Sequence, residues 1–187
     1  MNESESESGS QPPLSPDGEE GEQPPNAEAR ATGVDLFDQT ELLDAETMAW
    51  LQAATQRLVR TFSEEGVAID RVAVRLIGDE EMAQSHSSFS GVEGTTDVLA
   101  FVGGEDPLEI DILACVEEAG RRAEEFGHEL QRELMLYVVH AILHGLGHDD
   151  GDPESSQRMH AEEDRLLGLI GVGAVFKPST FEGRDEK

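Results

Sequence analysis

The chain has 187 residues, 41 of them Asp or Glu against 13 Lys or Arg, and Lys177 and Lys187 are its only lysines, so its formal charge is -28. That balance excludes a general polyanion binder held by a basic surface. The single cysteine, Cys115, excludes an internal disulfide and a thiolate zinc cluster, and no apolar run approaches the ~20 residues of a membrane span, so stability must come from a packed core.

Residues 1–46 carry 13 acidic groups and one base, Arg30, among repeated Pro, Ser and Gly. Residues 1–30 therefore read as a disordered acidic tail with too little apolar surface to order itself. The tail begins without a basic start or an apolar stretch, the opposite of a secretory signal, and a cytoplasmic location is expected. Removing the -12 of residues 1–46 still leaves -16 on residues 47–187, so the folded part is acidic as well. Adaptation to a salt-rich cytoplasm explains this, because molar salt shortens the Debye length to ~3 Å. Ordinary solubility is the alternative.

Gly33 to Phe37 reads as a short edge strand, and Asp44 as the N-cap of a helix running to Phe62 with Trp50, Leu51, Ala54, Leu58 and Val59 on its apolar face. In residues 71–78, Val72, Val74 and Leu76 alternate with Arg71, Ala73 and Arg75, which predicts a half-buried strand, with Asp79 capping a short helix after it. Residues 86–96 are small and polar and read as a loop into a strand at 96–102. A turn at 103–107 joins that strand to a hairpin partner at 108–115. The remainder is helical: 116–126, a break at Gly127, 129–146, then 153–169. The middle helix is apolar nearly all round, as expected of one buried inside a domain. The expected fold class is α+β, a small mixed sheet of about four strands against about five helices, with the histidine-bearing helix in the centre. One domain is expected over residues 31–172, followed by a C-terminal tail at 173–187.

The chemistry concentrates in His140-Ala-Ile-Leu-His144-Gly-Leu-Gly147-His148-Asp149-Asp150. Residues four apart on a helix lie ~40° apart on one face, so His140 and His144 can reach a common ion. Gly147 then ends the helix in a left-handed conformation and turns the chain back towards them. Two neutral imidazoles and a third ligand leave a position open on zinc, the arrangement of a catalytic site. His148 is the better third ligand by chemical type. Asp150 stands tenth after His140, the spacing of the third ligand in H-x-x-x-H-x-x-G-x-x-H helices, and is the residue favoured. A zinc peptidase of the H-E-x-x-H kind would need a Glu where this chain has Ala141.

These residues resemble the YbeY family of bacterial endoribonucleases. The family's H-G-x-L-H-L-x-G-Y-D-H appears as H-A-I-L-H-G-L-G-H-D-D, its T-D-V-L-S-F strand as Thr96-Asp97-Val98-Leu99-Ala100-Phe101, and its G-D-I strand start partly as Ile110-Asp111-Ile112. A late M-x-x-x-E-x-x-x-L helix has its counterpart in Met159, Glu163 and Leu167. The resemblance, over about residues 33–170, implies a zinc-dependent, single-strand-specific endoribonuclease in ribosomal RNA maturation and ribosome quality control. It implies one Zn2+ per chain held by His140, His144 and Asp150, proton relay by Asp149 or His148, and ribosomal RNA and the small ribosomal subunit as partners, with no membrane and no DNA. Asp150 replaces the family's third histidine, and Ser90 stands where members often carry an arginine, a role Arg121 or Arg122 could take. The alternative is a ribosome-associated processing factor with a structural metal and little catalysis. Asp97 reads equally as a strand-end cap or a cleft residue, Glu118, Glu124, Glu125, Glu129, Glu162 and Glu163 as solvated helix faces, and Cys115 as a buried apolar residue.

Overall fold

The computed structural model describes residues 33–104 and 106–176; the expected tail at 1–30 lies outside them, as do residues 177–187 of the expected C-terminal tail. The described chain runs β1 (Gly33–Asp38), α1 (Ala45–Glu64), β2 (Ile69–Ile77), α2 (Asp79–Ser90), β3 (Val98–Gly103), β4 (Leu108–Cys115), α3 (Val116–Phe126), α4 (Leu130–Gly145) and α5 (Pro153–Leu169). The strands form one mixed sheet in the order β1-β2-β4-β3. β1 and β4 flank β2 in parallel, while β3 and β4 form the antiparallel hairpin. This is the α+β class expected, with β1 at the sheet edge.

The main core is built by Leu51, Leu58 and Phe62 of α1, Val72 and Val74 of β2, Ile110 and Ile112 of β4, and Leu134, Val138 and Ile142 of α4. α4 lies inside this layer: every side chain from Glu133 to Val139 and from Ala141 to Leu143 is buried. A helix enclosed by α1, α3, α5 and the sheet has little wet face, which is why its sequence shows so little amphipathic contrast. The opposite sheet face is covered at one end by α2, where Met82 packs with Ile77, Leu113 and Cys115. Strand β2 is therefore covered on both faces near its end, and the half-buried pattern expected of it gives way there, with Ile77 fully buried. Residues 173–176 fold back over α5, where the Asp164 carboxylate accepts from the backbone N–H groups of Val175 and Phe176.

Two local readings are corrected. Asp79 is the first residue of α2 and not its cap. The cap comes from another element, the Glu117 carboxylate of α3 accepting from Asp79 N at 2.5 Å, while the Asp79 side chain takes the Arg121 guanidinium at 2.7 and 2.8 Å. Residues 86–90 are also helical, not loop. Ser88 and Ser90 donate their hydroxyls to the carbonyls of Gln84 and His86, both at 2.7 Å, so their polarity is absorbed within the helix. Asp44 caps α1 as expected, accepting from Thr47 N.

Candidate metal centre and adjoining cavity

The end of α4 is shaped by its glycine. Gly147 has φ +89°, and with it the His148 N–H reaches Leu143 O and the Gly147 N–H reaches His144 O, both at 3.0 Å. This is a Schellman ending, which satisfies the last carbonyls and reverses the chain. The returning loop is set by Asp149, whose Oδ1 accepts from the N–H groups of Asp150 and Gly151. Asp152 then caps α5, accepting from Ser155 N, with the Ser155 hydroxyl completing the capping box.

The result brings His140, His144 and Asp150 together, with one ligand atom from each within 4.8 Å of the others. His140 Nε2 lies 3.9 Å from Asp150 Oδ2, and His144 Nε2 lies 3.7 Å from Asp150 Oδ1. Ligands at ~2.1 Å from a tetrahedral zinc stand ~3.4 Å apart, so the two histidine–Asp150 separations exceed that spacing by only a few tenths of an ångström. The tautomers also fit. His140 Nδ1–H donates to Glu163 Oε1 at 2.7 Å, and His144 Nδ1–H donates to the His148 carbonyl at 3.0 Å. Both partners can only accept, which places the protons on Nδ1 and leaves each Nε2 lone pair facing Asp150. His140 is largely covered, while the His144 side chain keeps 35% of its surface. His148 serves through its backbone; its imidazole is exposed and outside the converging group.

Glu163 is a correction to the sequence reading, which placed it on a solvated face. It is 1% exposed, with Oε1 on His140 and Oε2 without a partner among the described residues. Burial works against protonation of His140, yet Glu163, with Asp97 and Asp150 beyond it, outweighs that and raises the imidazole pKa. The spacing of Met159, Glu163 and Leu167 on one helical stripe was the signal available, since both neighbours are buried.

Beside this group opens a cavity of about 430 Å3, lined among others by Asp97, Arg122, Phe126, Tyr137, His140, Asp150 and Glu163. Asp97 fills both of the roles considered for it: Oδ1 accepts from the Thr96 hydroxyl and Val98 N, and the side chain borders the cavity. Arg121 is drawn away by Asp79 and Glu118, whereas Arg122 lines the cavity while pairing with Glu118 and Glu125. Ser90 is not among the cavity residues; its hydroxyl is committed to α2. Glu118 itself is half-buried by these arginines. A second cluster, Asp79, Cys115 and Glu117, is a poor metal site because Arg121 occupies Asp79 and burial pushes the Cys115 thiol up to about 12.

Fold and site thus define an α+β domain with a histidine–carboxylate group of metal-ligand geometry at the mouth of a cavity. The family model of the endoribonuclease YbeY matches residues 35–171, and the chain belongs to that family of RNA-cleaving hydrolases. It is 31% identical to the endoribonuclease YbeY of Bacillus licheniformis over 153 residues, covering 74% of this chain and 95% of that protein. It is 35% identical to that of Gloeobacter violaceus over 162 residues, covering 80% and 81%. A solution structure from Thermotoga maritima shares the fold, with TM-score 0.54 and 23% identity over 73% of this chain and 88% of that one.

Proposed function

We propose that this chain is a zinc-dependent, single-strand-specific endoribonuclease of ribosomal RNA maturation and ribosome quality control, working in the cytoplasm on ribosomal RNA and the small subunit. The observation that carries the metal assignment is the pair of Nε2 atoms on α4, each fixed by an acceptor on Nδ1, facing Asp150. His140, His144 and Asp150 would hold one Zn2+, which when bound supplies Lewis acidity to polarise a phosphoryl oxygen. Glu163 fixes the His140 ring and tautomer. Asp150 brings a negative charge where a third imidazole would bring none, which tempers the charge of the centre. Asp97, which lines the cavity with His140 and Asp150, would take a proton during attack on phosphorus; Asp149 and His148 line a different depression of the surface.

A peptidase reading is weakened further by Ala141, a position buried in the core at 1% exposure. The reading of a processing factor with a structural ion draws on the acidity of the chain and on Arg122 being already paired with two glutamates.

The test is zinc-loaded protein against a ribosomal RNA fragment in low and in molar KCl, beside His144→Ala and Asp150→Ala. Cleavage lost in both variants is the expected result. An absence of cleavage at every salt, with one zinc per chain retained, would establish the structural-ion reading instead.

A further inference from the structure

Two residues that line the cavity carry buried polar atoms without a hydrogen-bond partner among the described residues, the Tyr137 hydroxyl and Glu163 Oε2, with the Glu133 carboxylate close to the phenol. Tyr137 is 4% exposed and Glu163 1%, and both side chains line the same space. Orphaned buried groups are rare and costly, so a pair bordering one cavity calls for an occupant. The occupant has to accept a proton from a phenol and donate one to a carboxylate. Burial, with the charges of Glu133 and Asp97 nearby, pushes the Tyr137 pKa up and keeps its proton on the oxygen.

The walls narrow the choice. Phe126, at the end of α3, lines the cavity while 59% exposed, an aromatic face left open at the mouth. On the α5 side, His160 and Phe176 stack on each other with ring centroids 4.0 Å apart and planes 17° from parallel. Leu136 and Val175 add apolar surface between them. The volume of about 430 Å3 falls within the range of small-ligand pockets. Flat apolar walls, a donor and an acceptor match a planar heterocycle with adjacent acceptor and donor atoms on one edge, which every nucleobase carries. The carboxylates on the rim disfavour an anionic group inside, so the phosphate stays outside, by His140 and Asp150.

We propose that this cavity is a nucleobase subsite: an unstacked base next to the scissile phosphate inserts beside Phe126, receiving the Tyr137 hydroxyl on an acceptor and giving an N–H to Glu163 Oε2. The proposal rests on the nuclease reading for its orientation towards the phosphate. Tyr137→Phe is the sharp variant, because it removes a hydroxyl without a hydrogen-bond partner among the described residues and should leave the fold at least as stable as before.

The experiment titrates adenosine, guanosine, cytidine and uridine separately into the zinc-loaded full chain, following backbone amide resonances of Arg122, Phe126, His160 and Phe176. Saturable shifts there, weakened about three- to tenfold in Tyr137→Phe with a melting temperature no lower than that of the unaltered chain, are expected. Phe126→Ala should weaken them by about tenfold or more through lost stacking. With RNA as substrate, Tyr137→Phe should raise KM and spare kcat. No saturable shift at millimolar nucleoside, or equal binding by Tyr137→Phe, overturns the subsite. Zinc-dependent RNA cleavage without nucleoside binding would sink the subsite and leave the nuclease reading standing. Nucleoside binding without any RNA cleavage would uphold the subsite and remove the nuclease reading.

Discussion

Single residues in this molecule are defined by what occupies their second atom. His140 is a usable ligand because Glu163 holds its other nitrogen at 2.7 Å, so the ligand and its support come from different helices. Loss of a support of this kind typically weakens metal affinity 10–100-fold. Glu163→Gln keeps the shape and removes the charge, and zinc competition titration should show affinity reduced by about tenfold with α4 still folded. Cys115 illustrates the opposite case. It is fully buried, and a thiol pushed up to about 12 is protonated at every ordinary pH. A colorimetric thiol reagent at neutral pH should find no reactive sulfur in the native chain and one per chain in denaturant; rapid native labelling would contradict the packing of α2 on β4. Asp79 supplies the acid-side test. Its hydrogen bonds from Arg121 lower its pKa below 3.8, against the opposing effect of burial. A carboxylate lowered on folding contributes stability that is present above its unfolded pKa and fades as pH falls through the folded value. The melting temperature of Asp79→Asn should therefore depend less steeply on pH than the wild type below about pH 4.

At the level of elements, α4 and its ending are the decisive unit. The helix needs no amphipathic stripe because it is enclosed, and its termination sets the path of residues 148–150. Gly147 is required there by conformation alone: at φ +89° an added Cβ would meet nothing within 4 Å. Gly147→Ala should then cost about 1–2 kcal/mol, the penalty of the left-handed region, visible as a lower melting temperature. It should also weaken zinc binding, because relaxation of the turn carries Asp150 away from the imidazoles. The start of the same helix holds a second buried pair, His128 Nε2–H donating to Glu133 Oε2 at 2.6 Å with both side chains nearly covered. Burial raises the Glu133 pKa, and His128 opposes that rise. This contact ties the α3–α4 junction to the body of α4, near the cavity wall that Glu133 also forms.

The whole molecule carries -28, and none of its described helices is long and apolar enough to cross a membrane. So much like charge destabilises a compact state unless it is screened. If the acidity is a salt adaptation, the melting temperature should climb steeply between low and molar KCl, and RNA cleavage should appear only in the salt-rich range. A flat dependence of stability on KCl would return the acidity to ordinary solubility. The pairing of its arginines adds to the repulsion an acidic chain meets when it approaches RNA. Its arginines are mostly spent within the surface, Arg165 on Glu65 and Glu162, Arg121 on Asp79, Arg122 on Glu118 and Glu125, which leaves little for long-range attraction to phosphate.

What the sequence determined by itself was everything that depends on local periodicity. Alternation placed β2 and the β3–β4 hairpin, capping chemistry placed the start of α1, and the four-residue spacing put His140 and His144 on one face. The Gly147 ending and the tenth-position spacing then pointed to Asp150, which the structure sets beside both imidazoles. The extent of α2 escaped because Met82 is its only buried residue, so no period marks it. Tertiary structure alone decided the partners. Glu163 shares a stripe with Met159 and Leu167, but its partner is decided only when α5 packs on α4, and Asp79 looks like a cap until Glu117 arrives from α3 to take that duty. The cavity, and the choice of Arg122 over Arg121 at its wall, likewise depend on how α3, α4 and α5 meet. Local pattern reports which face of an element is apolar; it carries no record of which distant carboxylate or carbonyl that face will meet, and the burial of Glu163 and Tyr137 is a property of that meeting.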